Sequence, residues 1–166
     1  MSVQESYVPT HPDLFIVEFL PGDFASRLIS LKSFEAGETI ADLSRFTRVP
    51  HAAYDTIQCG PGDNIKYNSD LVYVNHSCEP NIAFDFSSKD TSRWHVRASR
   101  PIKQGDPLTY FYPSTEWNMA QPFDCLCGSA KCLGRVEGAV SLSAAELSSH
   151  GFINPWIWTQ FEAKQN

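Results

Sequence analysis

The sequence predicts a mainly β domain of short strands, with a cysteine-rich flap and a short helical tail. Three observations predict it. Eleven prolines and nine glycines punctuate 166 residues, which favours short strands and turns over long helices. Apolar and polar residues alternate in several short runs, the period of a strand with one face buried. Cys125, Cys127 and Cys132 crowd together near the C-terminal end, a spacing that suits a loop folded around a metal better than a strand.

The length, 166 residues at 18.6 kDa, suits one domain, or two small ones at most. A chain of this size buries roughly 70% of its extended surface and can build a core without staples. With 42% hydrophobic and 19% charged residues, a disordered chain and a coiled coil are excluded. The formal charge is −6 and the pI about 5.3, with no Lys/Arg run, which argues against nucleic acid as the main ligand. Apolar runs such as Leu14 to Val17 fall far short of the ~20 residues that cross a bilayer. Met1 to Asp13 is polar and lacks the layout of a signal peptide. The expectation is an intracellular protein, nuclear or cytoplasmic, with no membrane partner.

Leu14 to Phe19 reads as a strand, and Pro21-Gly22-Asp23 as a turn. Arg27 to Phe34 suggests a second strand through Leu28, Leu31 and Phe34. Glu35 to Glu38 is a tight turn leading to Thr39, Ile40 and Leu43. Ser44 to Asn68 is mixed and turn-rich, with Gly60-Pro61-Gly62-Asp63 its clearest break. Leu71 to Val74 is a short β-forming run. Ile82, Phe84 and Phe86 share one face of the next strand; Trp94, Val96 and Ala98 alternate with His95 and Arg97 in another. Ile102 to Asp106 turns, and Leu108 to Tyr112 reads as a strand. Ser143, followed three residues later by Glu146, starts a helix that Gly151 would end.

Two segments carry chemistry. Asp124 to Gly134 holds C-x-C-x4-C, three thiols that can converge on one ion. A structural zinc takes four ligands in a tetrahedron. The fourth would come from Cys78, Cys59 or a histidine; the alternative is a set of half-buried thiols on a turn. An odd number of cysteines without a secretory signal argues against a disulfide framework. The second segment, Asn75 to Asn81, places two amides, an imidazole and a thiol at the end of an apolar run. A Cys/His nucleophile pair and a satisfied turn are both compatible with it. In an extended chain His76 and Cys78 share a face and Ser77 does not.

Asn75-His76-Ser77-Cys78-Glu79-Pro80-Asn81 resembles the N-H-S-C-x-P-N signature of SET-domain protein-lysine methyltransferases. Gly105 to Tyr112 resembles the family's second signature, G-E-E-L-T-Y-D-Y, and C-x-C-x4-C matches its post-SET zinc motif. The three stand in family order over about Val72 to Gly134, with a weaker match back to about Leu14. The resemblance implies a SET-domain fold of short β-clip-like strands, with a pseudoknot that brings the two signatures together. It implies a SET domain over residues 14–116, a post-SET zinc flap over 117–134 and a helical tail over 135–166.

The resemblance also implies S-adenosylmethionine as cofactor and a lysine in a protein or peptide, a histone among the possible substrates, as methyl acceptor. Asn75 and His76 would hold the cofactor, Tyr73 would flank its pocket and Phe123 would cover its adenine. Cys78 would join Cys125, Cys127 and Cys132 on a structural Zn²⁺, leaving Cys59 to packing. Tyr112 would be the catalytic tyrosine, also beside the cofactor, and Tyr110 would set how many methyls are added. Three departures stand out. Ala25-Ser26-Arg27 replaces the family's G-x-G cofactor loop. Leu43 falls near a position where tyrosine is often found. Phe111 replaces an aspartate in the second signature, and the insert before Asn75 is short. A catalytically inactive SET-fold binding module, a methyltransferase of small-molecule amines and a zinc-stabilised interaction domain are the competing readings.

Overall fold

The computed structural model describes residues 6–166, so part of the polar stretch from Met1 to Asp13 lies outside the described residues. Five small sheets stand among the described residues. Strands β1 (Phe15–Phe19) and β2 (Ser26–Ser30) form an antiparallel hairpin, Phe15 opposite Ser30 and Phe19 opposite Ser26. Strand β3 (Thr39–Asp42) pairs with β9 (His95–Ala98), which pairs with β8 (Ile82–Asp85), all antiparallel. In β9, Val96 and Ala98 are buried while His95 and Arg97 are half-buried, the alternation the sequence predicts.

The turn-rich reading of residues 44–68 is corrected by a three-stranded antiparallel sheet. Strand β6 (Asp63–Tyr67) lies between β4 (Phe46–Val49) and β5 (Thr56–Gly60). Its strands carry Thr47, Arg48, Gln58 and Lys66, polar residues that blur the alternation. The expected break at Gly60 to Asp63 is the β5–β6 turn, with Gly62 at φ 67°.

Leu71 to Val74 is not a strand: Asp70–Tyr73 is a 3₁₀ turn. Ser69 caps it, its hydroxyl accepting from the Leu71 N–H at 3.4 Å. The buried Asp70 carboxylate accepts from the Tyr7 hydroxyl at 2.7 Å and from the N–H groups of Thr10 and His11 at 3.1 and 2.8 Å. Those bonds override the local β preference. Leu108 to Tyr112 also shortens, to β10 (Thr109–Tyr110). Before it, the Asn81 amide accepts from the Thr109 N–H and donates to the Pro107 carbonyl, both at 2.9 Å. After it, Pro113 lacks the N–H a strand would need, and Tyr112–Ser114 turns in a 3₁₀ helix.

Strand β7 (Asn75–His76) runs parallel to β10, Asn75 beside Thr109 and His76 beside Tyr110. The two signature segments therefore lie side by side. Strands β11 (Phe123–Asp124) and β12 (Arg135–Val136) close the flap. Helix α1 (Ala144–Ser149) has both halves of the Ser143/Glu146 capping box, and Gly151 follows at φ 102°. A further helix, α2 (Pro155–Gln165), was not expected as a separate element.

One apolar cluster, including Phe15, Leu28, Leu43, Ile65, Phe84 and Val96, fills the space between the sheets. A second gathers Phe111, Ala139, Leu147, Ile153, Ile157 and Phe161 beneath the helical tail. Gly138, at φ 117°, lets the tail cross the chain there: a Cβ would lie 2.6 Å from the Trp117 carbonyl oxygen. No helix among the described residues is long and apolar enough to cross a membrane.

Candidate functional site

The thiols of Cys78, Cys125, Cys127 and Cys132 lie within 4.8 Å of one another. Cys78 and Cys125 are 3.9 Å apart; a tetrahedron with ~2.3 Å bonds to sulfur has edges of about 3.8 Å. Main-chain N–H groups point at the sulfurs, Leu133 to Cys78 at 3.3 Å, Cys127 to Cys125 and Gly134 to Cys132 at 3.4 Å. Four sulfurs in this arrangement fit zinc, and the flap owes its shape to glycines at φ 72° and 75°, Gly128 and Gly134. Cys59 stands apart in the main core, its thiol pushed up to about 12 by burial and turned to the Asp63 carbonyl at 3.6 Å.

Beside this cluster stand three half-buried rings. His76 lies 5.1 Å from Tyr112 and 5.6 Å from Phe123, and Tyr112 lies 5.8 Å from Phe123, all nearly edge to face. Burial, helped by His150, pushes the His76 imidazole down to about 4, so it is neutral at pH 7. The Tyr112 hydroxyl donates to the Val74 carbonyl at 3.1 Å. Burial, and then the charge of Glu116, holds that hydroxyl above its ordinary range, so it serves as a donor and not as a base. Tyr110 lies deeper, 4.7 Å from Tyr112 and 4.4 Å from Phe84.

The segment Ala25-Ser26-Arg27 approaches β7 through its backbone. The Asn75 amide donates to the Ser26 carbonyl at 2.6 Å, and the Ala25 carbonyl accepts from Leu20 at 2.6 Å. The Arg27 side chain turns away and pairs with Glu18. Tyr73 sits in a different aromatic group, 5.6 Å from both Tyr7 and Phe19. Thus Ser26 joins Asn75, and His76 joins Tyr112 and Phe123, whereas Tyr73 and the Arg27 side chain have other partners. An exposed Asn75 beside three half-buried rings, with no charged side chain among them, suits contact with a flat heteroaromatic group.

Two residues that the sequence reading passed over complete the surroundings. Glu116 is buried, 6% exposed, and its Oε1 accepts from the Gln58 N–H at 2.9 Å and the Thr115 hydroxyl at 3.2 Å. Burial pushes its carboxyl up to about 7. Tyr67 is buried at 4% exposure, and its hydroxyl has no hydrogen-bond partner. The Glu116 carboxylate takes a hydrogen bond from Gln58, far away along the chain, and no local pattern marks it.

A family model described as SET domain matches residues 25–113. Methyltransferase flvH of Aspergillus flavus is 40% identical over 157 residues, covering 95% of this chain and 86% of that protein. Histone-lysine N-methyltransferase ash1 of Drosophila melanogaster is 36% identical over 77 residues, covering 46% of this chain but 4% of that protein. A histone-lysine N-methyltransferase of Emericella nidulans, H3 lysine-4 specific, is 41% identical over 64 residues, covering 37% of this chain and 5% of that protein. Among solved structures, KRYPTONITE in complex with mCHG DNA and SAH aligns with a TM-score of 0.54 at 20% identity, over 73% of this chain and 29% of that one. That likeness is one of fold.

Proposed function

Because the chain belongs to the SET-domain family of methyltransferases, we propose that it transfers a methyl group from S-adenosylmethionine to the ε-amine of a lysine. The observation that supports this most directly is the meeting of His76, Tyr112 and Phe123 beside the Ser26–Asn75 join. When bound, S-adenosylmethionine supplies an electrophilic methyl on a sulfonium. In this reading Ala25, Ser26 and Arg27 offer backbone groups to it, and Asn75 and His76 hold its polar end. Tyr73 flanks the pocket, and Phe123 covers the flat ring. The Tyr112 hydroxyl orients the incoming nitrogen; collinear positioning supplies most of the rate in such a transfer. Zinc on Cys78, Cys125, Cys127 and Cys132 fixes the flap that carries Phe123. The division into residues 14–116, 117–134 and 135–166 belongs to the same proposal.

A second reading, transfer to a small-molecule amine, is favoured by one observation. The relative matched over 95% of the chain carries only the name methyltransferase, whereas the matched histone-lysine enzymes cover between 37% and 56% of it. One experiment separates the readings. Calorimetry with S-adenosylmethionine establishes binding, and methyl transfer to a lysine peptide array and to a panel of free amines establishes the acceptor. Transfer to peptides supports the first reading, and transfer to free amines alone supports the second. Cofactor binding with no transfer to either overturns both and leaves a binding module.

A further inference from the structure

We propose that the Glu116 carboxylate and the Tyr67 hydroxyl receive the substrate's alkylammonium group beside the Tyr110–Tyr112 ring pair, and that Glu116 takes the proton this nitrogen must lose. The inference rests on the methyl-transfer reading above and adds the groups that handle the amine.

The two residues border one run of rings. Tyr67, the last residue of β6, stacks on Phe84 at 5.6 Å; Phe84 meets Tyr110 at 4.4 Å, and Tyr110 meets Tyr112 at 4.7 Å. Glu116 follows Tyr112 by one turn, and its carboxylate is held by Gln58 and Thr115. Its N–H donates to the Tyr112 carbonyl at 2.9 Å, one turn along the chain. Burial raises the hydroxyls of Tyr67, Tyr110 and Tyr112, and the charge of Glu116 raises each of them further. The field of one buried carboxylate is therefore felt at all three hydroxyls.

Oε1 of Glu116 has two neutral donors, Gln58 and Thr115, but among the described residues the carboxylate has no cation beside it. Among the described residues Glu116 forms no ion pair, and the Tyr67 hydroxyl is buried unpaired. A buried polar atom without a partner is destabilising unless a ligand supplies one. An alkylammonium has up to three N–H donors and one positive charge, which suits both groups together.

The proton step balances simply. An N–H bond of the ammonium breaks and its electron pair stays on nitrogen; an O–H bond forms at Glu116 Oε2. Oε1 keeps its bonds from Gln58 and Thr115. After the product leaves, the proton passes to water. An alkylammonium ordinarily loses its proton near ~10.4, and burial lowers that value as it raises a carboxyl's. Both shifts move the proton from nitrogen to oxygen. The groups around Glu116 are Gln58 of β5, Tyr67 of β6, Tyr110 of β10, and Tyr112 and Thr115 of its own turn, with the Cys59 thiol beside Tyr67.

The test uses the full chain with S-adenosylhomocysteine bound and n-butylamine as the probe. Glu116→Gln keeps an oxygen for Gln58 and Thr115 but cannot take a proton. It is expected to melt at the same or a higher temperature at neutral pH and to retain cofactor affinity while n-butylamine binding weakens by about tenfold or more. Tyr67→Phe removes an unpaired buried hydroxyl, so it should melt at the same or a higher temperature and yet bind the probe several-fold more weakly. A purely structural role would move melting temperature and affinity together. If both variants bind n-butylamine as the wild type does, or if the wild type does not bind it, the proposal is overturned. If the probe binds through Glu116 but no amine accepts a methyl group, the methyl-transfer reading fails and the site stands. If methyl transfer persists with unchanged kcat in Glu116→Gln, the site fails and the reading stands.

Discussion

The main-chain N–H of Tyr112 donates to Nδ1 of His76 at 3.1 Å. That bond decides where the imidazole proton sits. Nδ1 must accept, so the neutral ring carries its hydrogen on Nε2, which faces the Cys78 sulfur at 3.3 Å. One side chain thus links the aromatic pocket to the cysteine cluster, in the manner of an outer-shell partner that orients a metal ligand.

The first prediction concerns the metal. The protein should carry about one zinc per chain, and Cys78→Ser and Cys127→Ser should both lose it. Metal analysis measures this directly. Through His76, zinc loss should also change the near-ultraviolet circular dichroism of the tyrosines while the far-ultraviolet strand signal persists. Full zinc content in Cys78→Ser would refute the four-sulfur site.

Tyr112→Phe should fold normally and bind cofactor as the wild type does, because the hydroxyl's observed bond is to the Val74 carbonyl. Turnover should fall by about 10–1000-fold, the range for losing one positioned polar group. Steady-state kinetics on any accepted amine, with calorimetry as control, provides the check. Wild-type turnover would remove Tyr112 from catalysis.

Asn75→Ala should weaken cofactor binding by about tenfold, or ~1.4 kcal/mol, since the amide that ties β7 to the Ser26 carbonyl is lost. Arg27→Ala should leave affinity unchanged, because that side chain is spent on an exposed pair with Glu18. Calorimetric titration of both variants tests whether residues 25–27 act through backbone alone.

Glu116 should make stability fall as pH rises. Its carboxyl moves from 4.5 to about 7 on folding. Between those values the native protein holds a proton that the unfolded chain has released, so each step up in pH favours unfolding. The contribution is complete below the unfolded value and gone above the folded one, on the order of 3 kcal/mol in all. Melting curves of wild type minus Glu116→Gln, taken from pH 4.5 to 8, should show the difference falling across that window. A flat difference would mean the carboxyl is ordinary.

Asn154 is fully buried and accepts from the Phe86 N–H at 2.8 Å while donating to the carbonyls of Phe84 at 2.9 Å and Ser114 at 3.1 Å. Asn154→Ala strands these groups at about 1–3 kcal/mol apiece before relaxation. A net loss of about 2–4 kcal/mol should lower the melting temperature by about 5–15 °C. A loss below about 1 kcal/mol would mean that water replaces the amide.

Much of this was legible in the sequence, for physical reasons. His76 and Cys78 were expected on one face from strand geometry, and their side chains meet. The Ser143/Glu146 pair announced α1 because a capping box is local. What was not legible depended on distant partners. Asp70 turned an apolar run into a 3₁₀ turn by binding the chain near Tyr7 and Thr10. The strands flanking Gly60 to Asp63 hid behind polar outward-facing residues. Helix α2 was missed because Asn154, at its start, turns inward to β8 and makes no side-chain cap. Phe111, a departure from the family signature, acquired a reason only from the second core: the site is 2% exposed and packed among apolar residues of the tail, where a phenyl ring fills the space and a carboxylate would have to be desolvated.

That placement of Phe111 has a pharmacological consequence. Its ring is stacked on His150 at 4.3 Å and lies 5.7 Å from His76, so one side meets the tail and the other the aromatic pocket. A small molecule that wedged under α2 and displaced Ile157 or Phe161 would disturb His76 from behind. It would occupy neither ligand's space, so raising the concentration of either ligand would not fully relieve it. Such a compound should lower kcat and weaken the cofactor's hold through His76, an inhibition that saturating cofactor does not abolish.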